Sequence, residues 1–524
     1  FGGKGYTTFC PSKPETYTFL ENYLKDLFQV FTGPMVHIGC DEAWNLGYCD
    51  LCRPRWEAEG LGSIFTGHLQ RMQEIAKKLR KRLWIWDDMY EMFPEELEKM
   101  PRDIVMCHWQ YCQVIEPEGI KSHFINRNRE DLLALYEKLG IDALVSPRSL
   151  NFRNVETFTD YGRRHRVLGG LMTQWEMSSR FHEELLPSVA TFGRLWSQPT
   201  FDLDAAWRGA LDATLPGHTV ALSDAVRAIV SLARIFPHPN IQGFLSGPLT
   251  TGEYQQQIAL RTALELLRHT RKERPPRVGM DILADIEQGA RLELLHWDLR
   301  DLLPKILSPR RLPEDGPLLK ARAEEVREEL ESLIQERAPL HDRLRPGMYP
   351  VNGAEANLTR LYTVLEGAWE RLERMPVDND WWLVLRLFLP DAYSAQQLQV
   401  TGLFGAEERV LAQGCFKPAL EQSIGCHYTL QVPFKSPEKP TAIRFESWGY
   451  GGQGIAFLEA QNPTVTLYPK MVSTTAGPVS APDALLHDNS LWTYLGHQEV
   501  FPEMQDPSLA EEHAVIVVEL AERE

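Results

Sequence analysis

The sequence has few cysteines, no long apolar run and a deficit of positive charge. Eight Cys among 524 residues are too few for a fold of this length to be built on disulfides. No segment approaches the roughly 20 apolar residues of a membrane-spanning helix. Asp and Glu number 72 against 55 Lys and Arg, a formal charge of -17. The electrostatic field of this negative charge repels phosphate backbones and anionic lipids, so nucleic acid and membranes are poor partners.

What remains is an ordinary globular composition, with 43% hydrophobic and 24% charged residues. The sequence has no convincing phosphate-binding loop, nucleophile elbow or His-Glu-x-x-His helix, so we predict no cofactor. The charge does not repel a neutral small molecule or oligosaccharide. The low cysteine content favours a reduced, cytoplasmic setting. The chain begins at Phe1 rather than Met, which we interpret as the sign of a processed chain or a fragment.

Short apolar runs alternate with amphipathic stretches in the first 200 residues. The runs are residues 35–39, 83–87, 104–109, 142–146 and 167–174. Nearly continuous apolar strands separated by helices predict an α/β domain with a parallel sheet covered on both faces. We therefore assign residues 1–200 to an α/β domain.

The rest of the chain changes pattern twice. Residues 201–375 are predicted to be a helical domain, with charged amphipathic helices at 318–337 and 356–374. Residues 376–524 contain short β-rich runs between Gly and Pro turns, at 381–389, 428–434, 442–448 and 514–520. This alternation predicts a C-terminal antiparallel β-sandwich, which we interpret as an accessory domain.

Two adjacent carboxylates follow the first apolar run, in the segment His-Ile-Gly-Cys-Asp-Glu that ends at Asp41 and Glu42. Cleavage of a glycosidic bond needs one group to protonate the leaving oxygen and another to stabilise an oxocarbenium-like centre. Adjacent side chains in a strand point to opposite faces, so both can serve one sugar only where the strand breaks. Gly39 and the strand end supply that break. The alternative is a solvated acidic pair on a surface loop.

The pattern His-x-Gly-x-Asp-Glu resembles the signature of family 20 glycoside hydrolases, the β-N-acetylhexosaminidases. Further segments resemble that family in the same order, between about residues 5 and 196. They are Cys-Pro-Ser-Lys-Pro-Glu-Thr at 10–16, Leu-Trp-Ile-Trp-Asp-Asp-Met at 83–89, Trp-Gln-Tyr at 109–111 and Leu-Gly-Gly-Leu-Met-Thr-Gln-Trp at 168–175. The segment at 83–89 is especially similar to the hexosaminidase D-like branch. The resemblance implies a (β/α)8 TIM-type barrel whose later five βα units are present here.

The resemblance also implies roles for individual residues. Glu42 would be the general acid/base, and Asp41 would hold the acetamido group of the substrate. That group's own oxygen would then attack the anomeric carbon to form an oxazolinium ion. The implied substrate-binding residues are His37, Trp86, Asp87, Trp109, Tyr111, Trp175 and Glu176. The expected function is exo-acting, retaining hydrolysis of terminal N-acetylglucosamine or N-acetylgalactosamine.

Two other functions remain open at this stage. The first is a non-catalytic carbohydrate-binding protein on a degenerate barrel. The second is a glycosidase with an enzymic nucleophile, in which Asp87 or Asp88 attacks the sugar. Asp87 also has two further interpretations, as a residue that orients Glu42 or His37 and as the N-cap of the next helix.

The chain departs from the family pattern in three places. Five strands are recognised where a closed barrel has eight, and the first three, one of which carries a sugar-binding Arg in the family, are not among them. Cys40 stands where Gly is common. Trp175 is followed directly by Glu176, whereas the family often has Trp-x-Glu, which weakens the role of Glu176.

Cys49 and Cys52 have the Cys-x-x-Cys spacing that forms half of a structural zinc site. Cys10 or Cys40 are candidates to complete it, with His68 a more remote one. The alternative is a pair of small loop cysteines with no metal, and that is our primary interpretation.

Overall fold

A computed structural model describes most of the chain. The described residues are 8–43, 46–47, 49–120, 126–149, 151–174, 181, 183–198, 202–231, 245–246, 251–273, 279–347, 353–389, 396–416, 426–449, 453–474, 493–495 and 513–522. Within these ranges, no helix is both long and apolar enough to pass through a bilayer.

The first part of the chain is an α/β region around a parallel sheet, as predicted. Its strands lie in the order β1-β2-β3-β4, each parallel to the next. Short 3-10 helices occupy Pro94–Lys99 and Glu183–Leu185. The elements are α1 Pro14–Val30, β1 Met35–His37, α2 Arg53–Glu59, α3 Leu61–Lys78, β2 Arg82–Trp86, α4 Asp88–Met92, β3 Val105–Trp109, α5 Leu132–Leu139, β4 Ala143–Ser146, α6 Phe152–Arg163 and α7 Leu186–Ser197.

The fifth predicted strand is not a regular one. Residues 167–174 run parallel to β4, with bridges between Val145 and Gly170 and between Arg148 and Thr173, and backbone hydrogen bonds to β4 that include Leu171 N–H to the Val145 carbonyl at 2.9 Å. A Cβ on Gly170 would lie 2.4 Å from the Trp196 indole of α7, so the helix approaches the backbone too closely for any other residue. Consecutive glycines also have no side chains to pack, which weakens a strand ladder.

The two faces of the parallel sheet have different cores. Leu83 and Ile85 of β2 point to the large cluster that includes residues of α3, α4 and α5. Trp84 and Trp86 point to the opposite face, against a small cluster that includes Val105. This alternation follows from the two-residue period of a strand. Trp84 and Trp86 therefore lie on the same face of the sheet.

Where it is described, the middle of the chain is helical, as predicted, apart from one two-residue strand that pairs with a later strand. The predicted helices at 318–337 and 356–374 lie largely within α12 and α13. Residues 285–297 of α11 are all buried, so this helix forms the centre of the region. The elements are α8 Leu203–Thr214, α9 Val220–Ser231, β5 Leu245–Ser246, α10 Thr251–Glu273, α11 Met280–Leu307, α12 Asp315–Leu344 and α13 Gly353–Leu372.

The last part of the chain is antiparallel β-structure. The four predicted strands all occur, and the described residues include five more that the sequence did not reveal. The elements are β6 Asp380–Leu389, β7 Gln396–Phe404, β8 Glu407–Phe416, β9 Cys426–Lys435, β10 Ala442–Gly449, β11 Gln453–Gln461, β12 Thr466–Thr474, β13 Thr493–Leu495 and β14 His513–Glu522.

These strands follow one path rather than the two separate sheets of the expected sandwich. The order is β5-β9-β6-β11-β12-β14-β10-β7-β8, with β13 paired to β11. Phe404 of β7 and Phe434 of β9 come from distant positions on this path, yet their ring centroids are 6.1 Å apart. The sheet therefore curves around a single core, which it buries without a second sheet.

Candidate active site

The backbone turns sharply at the C-terminal end of β1. Gly39, Cys40 and Glu42 all have positive φ, at 75°, 71° and 47°. For residues with a Cβ this conformation costs roughly 1–2 kcal/mol each. Gly would avoid that cost at Cys40, which gives a physical reason for the glycine common there in the family that the motif resembles. The strand therefore breaks just before Asp41 and Glu42, as the sequence predicted.

Hydrogen bonds to the neighbouring strand hold this turn in place. The Gly39 carbonyl accepts from the Trp86 N–H at 3.0 Å, and the Ile38 N–H donates to the Trp84 carbonyl at 3.0 Å. The Glu42 N–H donates to Oδ2 of Asp88 at 2.9 Å. These contacts stabilise the strained conformation and determine where the Asp41 and Glu42 side chains begin.

Asp88 joins the carboxylate pair to the aromatic residues of β3. Its Oδ1 accepts a hydrogen bond from Nε1 of Trp109 at 3.2 Å, while Oδ2 holds the Glu42 backbone. Burial and the nearby charges of Asp41 and Glu42 raise the pKa of Asp88 well above its usual range. The Trp109 ring lies 5.0 Å from that of Tyr111, centroid to centroid. Asp88 thus sets the relative position of the acidic pair and this aromatic pair.

Asp41 and Glu42 are both half-buried. Burial, together with the charge of Glu42, raises the pKa of the Asp41 carboxyl. A partly desolvated acidic pair at a strand end is an arrangement that active sites use to shift proton affinities.

His37 lies beside the pair and contacts Trp86, with ring centroids 4.3 Å apart. Burial lowers the pKa of His37 to about 4, so the ring is neutral near pH 7. Its Nδ1 accepts the Gly39 N–H at 3.0 Å, which places the ring proton on Nε2. Within the described residues this Nε2 has no hydrogen-bond partner. His37 can therefore donate one hydrogen bond to a ligand.

Asp87 belongs to a different, fully buried cluster. Its Oδ2 accepts hydrogen bonds from Nδ1 of His108 and from the Tyr136 hydroxyl, both at 2.7 Å. The Gln110 amide lies 3.1 Å from Nε2 of His108, an arrangement that leaves the ring proton on Nδ1 for Asp87. Asp87 precedes α4 at the N-cap position, but its side chain makes no capping hydrogen bond. Asp87 is therefore the N-cap residue of α4 by position, while its side chain serves His108 and Tyr136 instead.

The chain turns from β2 into α4 at Asp87, and this turn separates two adjacent carboxylates. Asp88 reaches Glu42, and Asp87 reaches His108 and Tyr136. The exposed fraction of Asp87 is 0% and that of Asp88 is 2%. Residues His108, Gln110 and Tyr136 were not singled out from the sequence, because they lie within ordinary strand and helix patterns. Only the packing of β3 and α5 against β2 brings them to Asp87.

We expect Asp87→Ala to destabilise this sheet strongly. The substitution leaves His108 and Tyr136 buried without their partner, at a cost of roughly 2–5 kcal/mol. Hydrogen exchange followed by mass spectrometry on peptides from β2 and β3 would measure the free energy of local opening. Asp142→Ala is the matched control, because the Asp142 side chain pairs with Arg82 at 2.6 Å and both side chains are 34% exposed. The control should cost about 0–1 kcal/mol, and equal effects would contradict a structural role for Asp87.

The remaining predicted residues divide into two groups. Trp175 and Glu176 lie outside the described residues. Cys49 and Cys52 lie together and are joined by Cys10. In the described part of the chain, two groups of side chains have the composition and proximity for a metal: this thiol group, and the buried Asp87 with Glu91 and His108. In the second group, His108 donates to Oδ2 of Asp87, whereas Oδ1 of Asp87 and Oε2 of Glu91 have no hydrogen-bond partner among the described residues.

A carboxylate pair with aromatic neighbours at the carboxyl end of a parallel strand is typical of a sugar-cleaving α/β enzyme. Residues 2–133 match the family model described as glycosyl hydrolase family 20, catalytic domain. The β-hexosaminidase subunit beta of Mus musculus is 24% identical over 216 residues, 38% of each chain. Over this part of its length, the chain is a β-hexosaminidase homologue and is similar to the catalytic domain of glycoside hydrolase family 20.

Solved structures with some likeness to the chain include two glycosidases. The β-N-acetylhexosaminidase from Bacteroides fragilis NCTC 9343 is 17% identical, with 39% of this chain and 45% of that chain covered and a TM-score of 0.30. A family GH115 4-O-methyl-α-glucuronidase, described as specific for decorated arabinogalactans, is 10% identical. That match covers 100% of this chain and 68% of the other, with a TM-score of 0.35. The chain spans well under half the length of the mouse subunit.

Proposed function

We propose that this protein is an exo-acting, retaining β-N-acetylhexosaminidase that removes terminal N-acetylglucosamine or N-acetylgalactosamine. The observation that carries the proposal is the Asp41–Glu42 pair, held on a strained turn by Asp88 within the region that matches the family. An oligosaccharide or a small glycoside is the proposed substrate. Hydrolysis of an aryl N-acetylglucosaminide by the purified chain tests the proposal directly, and saturable binding without turnover would favour a carbohydrate-binding protein instead.

We assign the chemistry to two residues and to the substrate itself. Glu42 protonates the leaving oxygen and later removes a proton from the incoming water. Asp41 accepts a hydrogen bond from the acetamido N–H, where positive charge develops as the acetamido oxygen attacks the anomeric carbon. A carboxylate at that point stabilises the transition state more than the ground state. Water then opens the oxazolinium intermediate, so two inversions give net retention.

The geometry argues for a nucleophile supplied by the substrate. The carboxylate of Asp87 is completely buried and accepts two hydrogen bonds, and that of Asp88 holds the Glu42 backbone and Trp109. Neither carboxylate therefore has an oxygen exposed for attack on the anomeric carbon of a substrate. These contacts weigh against the alternative in which one of them forms a covalent glycosyl-enzyme.

We propose that aromatic and polar side chains enclose the sugar. Trp86 and Trp109 offer flat apolar surfaces for the C–H faces of a pyranose ring, and Trp175 would add a third. Tyr111 would donate its hydroxyl to the acetamido oxygen. The Nε2–H of His37 is available for a sugar hydroxyl, and Glu176 remains a candidate hydroxyl ligand. Asp87 would act indirectly, by supporting β2 and β3.

The wider architecture follows from the same proposal. The parallel sheet in residues 1–200 would be the later part of a (β/α)8 barrel, with the active site at the carboxyl ends of its strands. Residues 201–375 would be a helical domain and 376–524 an accessory β-domain. The segment at 83–89 supports placement in the hexosaminidase D-like branch.

A thiazoline that mimics the bicyclic oxazolinium ion should inhibit strongly. Analogues of a transition state or intermediate typically bind 10²–10⁸-fold more tightly than substrate, so we expect a Ki at least about 100-fold below KM. Competition against aryl N-acetylglucosaminide hydrolysis would measure it. N-acetylglucosamine itself is the control ligand and should bind no more tightly than substrate. Mass spectrometry that traps a covalent sugar on Asp87 or Asp88 would contradict the mechanism.

A further inference from the structure

Three cysteine thiols from two parts of the sequence meet where the segment before α1 approaches the turn before α2. The Sγ atom of Cys10 lies 3.2 Å from that of Cys49 and 3.4 Å from that of Cys52. All three sulfur atoms lie within 4.8 Å of one another. Cys52 is buried, and the other two are half-buried.

Local backbone structure presents these thiols from two turns. Cys10 precedes α1, and its carbonyl accepts hydrogen bonds from the Lys13 N–H at 3.3 Å and the Thr16 hydroxyl at 2.9 Å. Cys49 begins the turn that leads into α2, and its carbonyl accepts the Cys52 N–H at 2.9 Å. Cys52 occupies the N-cap position of α2. The Cys-x-x-Cys turn therefore points two sulfur atoms at a third that arrives from before α1.

The surroundings act on the two half-buried thiols in opposite directions: burial raises the pKa of Cys10 to about 12, whereas hydrogen bonds lower the pKa of Cys49. The backbone N–H groups of Leu51 and Cys52 donate to the Cys49 sulfur, and that of Ser12 donates to the Cys10 sulfur. Arg55 approaches the same place, with Nη1 3.1 Å from the Ser12 hydroxyl. Backbone donors and a nearby cation stabilise thiolate charge, and thiolate is the form that binds metal.

We propose that Cys10, Cys49 and Cys52 bind one zinc ion as three thiolates. Zinc–sulfur bonds of about 2.3 Å in a tetrahedron require sulfur atoms roughly 3.8 Å apart, so the thiols need to separate by only a few tenths of an ångström. A disulfide requires about 2.05 Å and can join only two of the three. The Ser12 hydroxyl, 3.1 Å from the Cys52 sulfur, or a water molecule takes the fourth position. Binding releases the thiol protons to solvent.

A bound zinc ion would connect the segment before α1 to the segment that follows the acidic pair. Cys49 follows Glu42 by seven positions, and Cys10 lies four positions before the first residue of α1. The turn at Cys40 and Glu42 has unfavourable φ angles, and a metal clip would reduce the freedom of the loop to relax. The ion would stabilise the loop and take no part in proton transfer. This inference does not depend on the proposed function, because metal content is measured without a substrate.

Metal analysis of the purified full chain tests the proposal. After incubation with zinc sulfate and removal of unbound metal by desalting, we expect close to one zinc ion per chain by inductively coupled plasma mass spectrometry. Cys10→Ser and Cys49→Ser should each lower that content by at least about tenfold. Cys112→Ser is the matched control, because Cys112 is half-buried but outside the group, and it should retain the zinc. Replacement of zinc by cobalt should give thiolate-to-cobalt charge-transfer bands in wild type and control.

Two results would overturn the proposal. The first is a disulfide between any two of the three cysteines in the wild-type chain, found by peptide mapping without reductant. The second is zinc content that is negligible in wild type or unchanged in the Cys10→Ser/Cys49→Ser double variant. Circular dichroism of each variant shows whether it is folded. If a single variant fails to fold, the cobalt spectrum of the wild-type chain still decides whether thiolates bind the metal.

Discussion

Glu42→Gln should lower kcat/KM for an unactivated N-acetylglucosaminyl disaccharide by roughly 10²–10⁴-fold, the usual contribution of a positioned general acid. The leaving sugar oxygen must be protonated as its bond breaks, and an amide cannot supply that proton. An aryl substrate with an acidic phenol leaves with little help, so its first step should suffer at least about tenfold less. Steady-state kinetics on the two substrates would measure the difference.

Glu95→Gln is the matched control for this experiment. Glu95 pairs with Arg127 at 3.1 Å on the surface, with 53% of its side chain exposed, and its loss should leave both rates nearly unchanged. If Glu42→Gln slows the two substrates equally, Glu42 does not protonate the leaving group. If Glu42→Gln has wild-type activity on both substrates, Glu42 has no catalytic role.

Asp41→Asn should lower kcat on N-acetyl substrates by roughly 10²–10³-fold, similar to the loss of one electrostatic contact to a charge that forms in the transition state. The affinity for the thiazoline should fall by a similar factor, because its ring nitrogen stands where the N–H of the intermediate would lie and becomes cationic when it is protonated beside Asp41. Since Asp41 acts as a carboxylate and burial raises its pKa, wild-type activity should fall on acidification at a higher pH than for an ordinary aspartate.

Asp103→Asn is the control for Asp41→Asn. Asp103 contacts Lys77 at 3.4 Å, and 48% of its side chain is exposed. Neither kcat nor thiazoline affinity should change in this variant by more than about twofold. Unchanged thiazoline binding in Asp41→Asn, despite lost turnover, would mean that Asp41 does not face the acetamido group.

The sequence was informative where a local pattern reflects local geometry. Short, nearly continuous apolar runs predicted all four strands of the parallel sheet, because a strand that is buried on both faces needs apolar residues at successive positions. Gly39 likewise predicted the break before Asp41. In the C-terminal part, β7 and β8 were missed because their Gln and Glu residues conceal the alternation until pairing shows which face is buried.

Contacts between distant segments could not be predicted in this way. Asp87 and Asp88 are equivalent in the sequence, and only the turn between β2 and α4 sends one to His108 and the other to Glu42. The pairing of Phe404 with Phe434 follows from the curvature of a whole sheet. Neither contact has a signature in the residues that make it.

The sequence alone therefore determined the order of α/β, helical and β-rich parts and the acidic pair at a strand end. It also determined the Cys-x-x-Cys turn, since these features need only residues that are neighbours along the chain. The tertiary structure decided that Asp88 supports Glu42, that Asp87 is buried away from it, and that Cys10 joins Cys49 and Cys52. These outcomes depend on how helices and strands pack against one another. Packing brings together residues that are far apart in the sequence, and their sequence separation does not reveal that they are in contact.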